Sequence, residues 1–273
     1  MVNYEARKVG DVKGLGIVYQ VNAPLDEQIS AFKRAGVEHP YLVTPEETAT
    51  IRLAGMSNDF TRTSMAPVGV KGENPILYRA SPLMNPAMAS LAVIAHRNGK
   101  RFALPREFYE AVRQFAEEDR GLEPEDRRAI VLSSAENYSL TPEMEDTRFI
   151  LGKPMQKYFD RFKHTSIPFL NLETKDVSKN ECAVNYLWFN RPDNDSQLYA
   201  RNRYLDNEHR AFGVRRDAVS NAQNSGYSLT EIGKASSEVI PVVFDNEGVR
   251  GLTPLVARGL SKGLLERLRT GRQ

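Results

Sequence analysis

The sequence predicts an α+β protein: a helical N-terminal lobe over residues 1–125, followed over residues 126–273 by a mixed lobe with a small β-sheet and a C-terminal helix. Three observations support this fold class. The strongest helix patterns precede residue 125, the clearest strand pattern follows it, and the polar segment 121–128 between them is typical of a linker. One continuous domain is the alternative, because 273 residues fit either one large domain or two small ones.

Helix signals justify the N-terminal lobe. After a short strand at Gly16–Val21, the segment Pro24–Arg34 is expected to form a helix. The motif Thr44-Pro45-Glu46-Glu47 then supplies an N-cap, a helix-starting proline and a capping-box glutamate in the required order. Residues 57–75 are polar and contain glycine and proline, which predicts a long loop. The helix that follows Asn85-Pro86 is apolar nearly all round, which indicates a central position.

The segment Pro105–Arg120 has the clearest amphipathic helix pattern. Three arginines recur along it at intervals of seven residues: Arg106, Arg113 and Arg120. A row of arginines suggests phosphate binding, but Glu110 and Glu117 lie between them at helical spacing. We therefore expect a solvated face that is held by salt bridges.

Strand signals are clearest in the second lobe. They predict strands at Ala129–Leu132, Ala183–Phe189 and Val239–Phe244, and residues 155–177 alternate in the manner of strands. The dipeptide Thr253-Pro254 is expected to begin the C-terminal helix.

The composition is that of an ordinary globular protein, with 41% apolar and 26% charged residues. The single cysteine, Cys182, excludes an intrachain disulfide and a cysteine-based zinc site, and it is expected to be a small buried apolar side chain. We expect no secretory signal peptide and no membrane span, because the N-terminus lacks an apolar core and the longest strongly apolar stretch is short. The corresponding interpretation is a soluble protein of the cytoplasm or of a virion.

Charge is concentrated at the C-terminal end. The last 24 residues hold six Lys/Arg and one Glu, a net charge of +5, whereas the whole chain carries +2. In the predicted terminal helix, four cations share one face: Arg258, Lys262, Arg269 and Arg272. Such a face could contact a phosphate backbone, and a helix docked by its other face, with cations favoured near its C-terminus, is the alternative.

A second basic segment spans residues 199–216. Aromatic residues, among them Tyr199, are interleaved there with arginines, and four of these are candidate contacts to nucleic acid: Arg201, Arg203, Arg215 and Arg216. Aromatic rings can stack on unpaired bases while guanidinium groups follow the backbone. A solvated surface segment is the alternative, because acidic residues are also present.

One pattern suggests catalysis. Asp160 precedes Glu173 by thirteen residues, and Glu173 and Lys175 would share a face of one strand. Two carboxylates on neighbouring strands could bind Mg²⁺, and Lys175 could orient the attacking water. This order resembles the PD-(D/E)xK nucleases, a resemblance that implies catalytic roles for Asp160, Glu173 and Lys175 and a metal at Asp160 and Glu173. Phe159 replaces the usual proline of that pattern.

Together these patterns favour a non-enzymatic subunit of a nucleoprotein or virion-like assembly. Its basic C-terminal half would contact nucleic acid or neighbouring protein subunits within an oligomer, and it would need no cofactor. The alternative is the Mg²⁺-dependent nuclease, so whether the chain is an enzyme stays open at this point.

Overall fold

A computed structural model describes residues 3–192, 198–200 and 205–216 of the chain. Within these ranges the strands are β1 (Arg7–Val12), β2 (Gly16–Ala23), β3 (Thr61–Arg62), β4 (Ala66–Gly69), β5 (Ile76–Tyr78), β6 (Ala103–Pro105), β7 (Ala129–Val131), β8 (Tyr138–Leu140), β9 (Ile167–Leu170), β10 (Glu181–Val184), β11 (Trp188–Phe189), β12 (Leu198–Tyr199) and β13 (His209–Arg215). The helices in the same ranges are α1 (Leu25–Arg34), α2 (Pro45–Leu53), α3 (Pro86–Arg97), α4 (Arg106–Glu118), α5 (Glu145–Leu151) and α6 (Met155–Phe162).

Two β-sheets organise this part of the chain. One has eight strands in the order β1-β2-β13-β3-β11-β12-β9-β8, and the other has five in the order β6-β10-β4-β5-β7. The predicted fold class is wrong, because the structure is mostly β, with short helices around two sheets. Each sheet contains strands from both sides of residue 125, so the first half is no helical lobe. Many of these strands have only two to four residues, too few for a local pattern to reveal them.

Side chains from the eight-stranded sheet enter two different cores. On β11, Trp188 packs in a cluster with α1, α3 and α4, whereas its neighbour Phe189 packs in a cluster with α5 and α6. On β12, Tyr199 and Leu198 divide in the same way. This alternation follows from the two-residue period of a strand and covers the centre of the sheet on both faces.

The predicted helices of the first half are confirmed. At the start of α2, the backbone N–H of Glu47 donates to the Thr44 hydroxyl at 3.1 Å, and the Glu47 carboxylate accepts from the backbone N–H of Thr44 at 2.8 Å. Helix α3 buries six of its apolar side chains, as its composition predicts. Cys182 is fully buried on β10, and burial raises the pKa of its thiol to about 12.

The loop prediction for residues 57–75 is wrong at its centre. Residues 61–70 are buried and contribute β3 and β4 to the two sheets. Arg62 and Thr63 bond to distant backbone groups: the Thr63 hydroxyl donates to the backbone carbonyl of Leu187 at 2.7 Å, and the Arg62 guanidinium donates to that of Ala23 at 3.3 Å. Polar composition therefore misled the prediction, because these groups bond to backbone partners that are distant in sequence.

The strand prediction for residues 155–177 is also wrong over its first half. Helix α6 occupies Met155–Phe162, and only Ile167–Leu170 forms a strand there. The predicted strand Ala183–Phe189 is divided between β10 and β11, which belong to different sheets. The predicted strand Val239–Phe244 and the C-terminal helix lie outside the described residues.

Candidate functional site

Four neighbouring strands of the eight-stranded sheet bring four aromatic rings together. Trp188 on β11 lies directly opposite Tyr199 on β12, Phe60 immediately precedes β3, and His209 begins β13. The ring centroid of Phe60 lies 4.7 Å from that of Trp188, 6.2 Å from that of Tyr199 and 5.8 Å from that of His209. Trp188 is buried and the other three rings are half-buried. This aromatic cluster (Phe60, Trp188, Tyr199 and His209) extends from the core to the surface.

A buried arginine supports the cluster from β3. The guanidinium carbon of Arg62 lies 4.8 Å from the ring centroid of Trp188, and the whole side chain is buried. Arg62 also donates hydrogen bonds to the backbone carbonyls of Ala23 at 3.3 Å and Asn207 at 3.2 Å. Burial lowers its pKa to about 10, so the group remains charged at neutral pH. Arg62 thus fixes the Trp188 ring and ties β2 to the segment that leads into β13.

A polar rim adjoins the aromatic cluster. Asp59 pairs with two arginines: Arg191 Nη2 lies 3.6 Å from one carboxylate oxygen, and Arg210 contacts the other. The side chains of Arg191 and Arg210 are 65% and 45% exposed, and that of Asp59 is 31% exposed. Because one carboxylate offsets part of the charge of two guanidinium groups, the rim is only weakly basic.

The imidazole of His209 is held in its neutral form. Burial and the positive charge of Arg62 lower its pKa to about 4, and the carboxylate of Asp206 acts in the opposite direction. Asp206 itself lies 2.5 Å from Nδ1 of His96 on α3. At neutral pH the cluster therefore presents an uncharged ring, which packs edge-on against Trp188 at a centroid distance of 5.0 Å.

The residues of the nuclease-like pattern do not adopt the expected arrangement. Asp160 lies on α6, where its carboxylate accepts a hydrogen bond from the Gln156 side chain at 3.0 Å. Glu173 and Lys175 lie exposed in the segment between β9 and β10. Within residues 3–192, 198–200 and 205–216, no group of three or more His, Cys, Asp or Glu side chains could hold a metal ion. The described geometry gives no support to a Mg²⁺ centre at these residues.

Two of the eight basic residues predicted to contact nucleic acid lie in the described part of the chain. The guanidinium carbon of Arg215 lies 5.6 Å from the ring centroid of Tyr19, and Arg216 forms an ion pair with Glu47. The other six lie outside the described residues: Arg201, Arg203, Arg258, Lys262, Arg269 and Arg272. For all eight, nucleic-acid contact stays a prediction.

Sequence patterns identified only part of the aromatic cluster. Tyr199 lies in the segment of interleaved aromatic and basic residues, and Trp188, the one tryptophan of the sequence, lies in a predicted strand. Phe60 and Asp59 lie in residues 57–75, which the sequence predicts to be a loop. Their proximity to Trp188 depends on the order β13-β3-β11-β12, which places strands from distant parts of the sequence side by side. A lone tryptophan in a strand was the available signal, and it does not identify its partners.

Comparisons with known proteins identify no family. No protein-family model matches the chain, and no curated protein sequence matches it. One matching solved structure is described as "Accommodation of massive sequence variation in Nanoarchaeota by the C-type lectin fold". That match has a TM-score of 0.47 and 16% sequence identity, and it covers 78% of this chain and 98% of the other. A likeness of this degree says nothing about activity or partner. In the part of the chain that the structure describes, no helix is both long and apolar enough to span a bilayer.

Proposed function

We propose that this chain is a non-enzymatic structural subunit of a larger assembly, and that the aromatic cluster is its contact surface for a neighbouring protein subunit. One observation carries the proposal: three half-buried rings from separate strands meet beside the exposed side chains of Arg191 and Arg210. Tyrosine, tryptophan and arginine are the residue types that dominate binding energy at protein–protein interfaces. Most of the contributing residues belong to the C-terminal half, where the sequence predicts partner contacts.

The aromatic cluster is preorganised for binding. The buried guanidinium of Arg62 and the neighbouring rings hold Trp188 in place, and Phe60 packs against three other rings. Side chains that are already ordered lose little conformational entropy when a partner binds. A surface of this kind therefore gives more binding free energy for its area than a set of flexible side chains does.

A protein partner suits this surface better than a nucleic acid does. Asp59 lies between the two exposed arginines and would repel a phosphate group. The rings also pack against one another, with the centroid of Phe60 4.7 Å from that of Trp188 and 6.2 Å from that of Tyr199. This spacing leaves no room for an inserted base. A second copy of the same chain is the first partner to test, because most soluble oligomers are built from identical subunits.

Sedimentation velocity over a concentration series tests this function on the full chain. We expect reversible self-association, and we expect Tyr199→Ser to weaken it by about tenfold, since loss of one central aromatic anchor costs at least about 1.4 kcal/mol. The matched control is Tyr41→Ser, which removes another partly exposed tyrosine, one that packs edge-on against His39 and belongs to none of the ring contacts of the cluster. Thermal melts of both variants show whether each remains folded.

Two outcomes would reject self-association through the aromatic cluster. A wild-type chain that stays monomeric at every concentration does not assemble with itself. An equal loss of association in Tyr199→Ser and Tyr41→Ser, with both variants folded, would place the contact elsewhere on the molecule.

A further inference from the structure

Helix α6 carries a row of exposed cations. Lys157 and Arg161 stand four residues apart on one side of the helix, about 6 Å apart along its axis. Lys153 lies in the turn before the helix, and Lys163 lies at its C-cap. All four side chains are exposed, and none lies within 4 Å of an acidic group among the described residues. These four residues are the α6 cation row.

Nearby acids leave most of this charge unopposed. Asp160 is the one carboxylate within α6, and it is engaged by the Gln156 side chain. On α2, Glu46 accepts a hydrogen bond from the backbone N–H of Lys153 at 3.3 Å, and the Lys153 charge helps to stabilise its carboxylate. Asp160 lies three residues from both Lys157 and Lys163 and offsets part of their charge, but Lys157, Arg161 and Lys163 form no ion pair within 4 Å in the described part of the chain.

Helix α4 shows what a purely structural arrangement of cations looks like in this protein. Arg106 pairs with Glu110 at 3.0 Å and also with Glu73, and Arg113 pairs with Glu117 at 3.3 Å and with Glu73 at 3.1 Å. Each of these arginines is matched by acids on its own helix and on a neighbouring loop, as the sequence predicts. The α6 cation row is exposed to a similar degree but lacks this compensation.

The two N-terminal positions of the α6 cation row oppose the stability of the helix. Lys153 precedes α6 and Lys157 lies in its first turn, where the positive end of the helix dipole disfavours cations. Like charges four residues apart also repel each other. Arg161, in the last turn, and Lys163, at the C-cap, lie where the dipole favours cations, although Lys163 adopts a left-handed backbone conformation, with φ of 55°, in which glycine is the usual residue.

We propose that the α6 cation row binds the phosphodiester backbone of a nucleic acid. Regularly spaced, solvated cations are the groups that contact successive phosphates, and they need no apolar pocket. A protein partner would call for apolar anchors as well. The large hydrophobic side chains that are exposed in the described residues, Val9, Leu122 and Val131, lie on other elements. The α6 cation row shares no residue with the aromatic cluster, so an experiment can reject either proposal and leave the other standing.

The test is binding of the purified full chain to short labelled duplex DNA and single-stranded RNA over a salt series. The variant Lys157→Glu/Arg161→Glu is expected to weaken binding at least tenfold at low salt, because each phosphate contact contributes roughly a threefold gain in affinity between moderate and low salt and each charge reversal also adds repulsion. The slope of log affinity against log salt is expected to fall by about two, one for each contact. The melting temperature of the variant is expected to change little, because the helix dipole favours a glutamate at position 157 in the first turn and disfavours one at position 161 in the last turn.

A matched control separates the row from the overall charge of the protein. The variant Lys100→Glu/Lys179→Glu makes the same change in net charge at two exposed lysines that lie in loops outside α6. It is expected to keep the wild-type salt slope. Equal weakening in both variants, or wild-type binding in the α6 variant, would overturn the proposal. Binding of the wild type to poly-glutamate but to neither nucleic acid would also overturn it, in favour of an acidic protein partner.

Discussion

Arginine is used inside this molecule as a structural residue. Five guanidinium groups in the described residues lie over aromatic rings: Arg52 over Phe189, Arg62 over Trp188, Arg79 over Phe149, Arg128 over Phe115 and Arg215 over Tyr19. Several of them also donate to backbone carbonyl groups of distant segments. The sequence does not distinguish arginines that make such contacts from arginines that are fully solvated, because both occur in segments of mixed polarity. A count of basic residues in the sequence therefore overestimates the positive charge that is available at the protein surface.

His209 is expected to make the stability of the protein depend on pH. Its folded-state pKa, about 4, lies below the ordinary value of 6.5. The contribution of neutral His209 to the free energy of unfolding is therefore fully present above pH 6.5 and is lost as the pH falls toward 4. A fully buried imidazole with this shift would contribute roughly 3 kcal/mol, and for the half-buried His209 we expect about 1–2 kcal/mol after allowing for solvent screening.

Urea unfolding at several pH values between 7 and 4 measures this dependence. The variant His209→Gln is expected to show a shallower loss of stability with acid than the wild type. Burial also lowers the pKa values of His39 and His164, so the variant should retain part of the slope. Identical slopes in variant and wild type would show that His209 titrates at its ordinary pKa.

At the scale of elements, local signals predicted helices well and short strands poorly. Helix α2 has a complete capping box within four consecutive residues, so its start could be read from the sequence. Helix α6 has no side-chain cap and begins after Pro154, and its apolar residues were read as a strand pattern. The strands β3, β11 and β12 have two residues each, and only their partners in the sheet define them.

The junction between α5 and α6 depends on Gly152. Its φ of 56° and ψ of −145° form a conformation that is open almost only to glycine, and a Cβ there would overlap the carboxylate of Glu46. Burial raises the pKa of Glu46, which agrees with a carboxylate packed closely against the junction. We expect Gly152→Ala to lower the free energy of unfolding by about 2–4 kcal/mol.

Chemical denaturation compares Gly152→Ala with a matched glycine variant. The control is Gly121→Ala, because no atom lies within 4 Å of a Cβ added there and its backbone does not need glycine. The control is expected to change stability by less than about 0.5 kcal/mol. Similar losses in the two variants would contradict the role given to the Gly152 backbone.

At the scale of the whole molecule, both sheets interleave the two halves of the chain. In the eight-stranded sheet β13 lies between β2 and β3, and in the five-stranded sheet β10 lies between β6 and β4. The central pairing of each sheet therefore joins residues before 125 to residues after 180. A division at residue 125 would leave the edges of central strands unpaired.

We expect neither fragment 1–125 nor fragment 126–273 to fold alone. Each would lose the strands that complete both of its sheets, along with much of both cores. Far-UV circular dichroism and the dispersion of amide signals in NMR spectra measure this for the separate fragments and for the intact chain. A cooperatively folded fragment in isolation would instead support the two-lobe organisation that the sequence predicts.

The sequence by itself determined the local features of this protein. The capping box of α2, the buried helix α3, the paired arginines of α4 and the buried Cys182 all follow from residues close together in the chain. Only the tertiary structure decided the fold class, the aromatic cluster and the position of Asp160. These depend on which distant strands pair, and pairing is governed by burial and by hydrogen bonds between segments whose short patterns do not identify their partners.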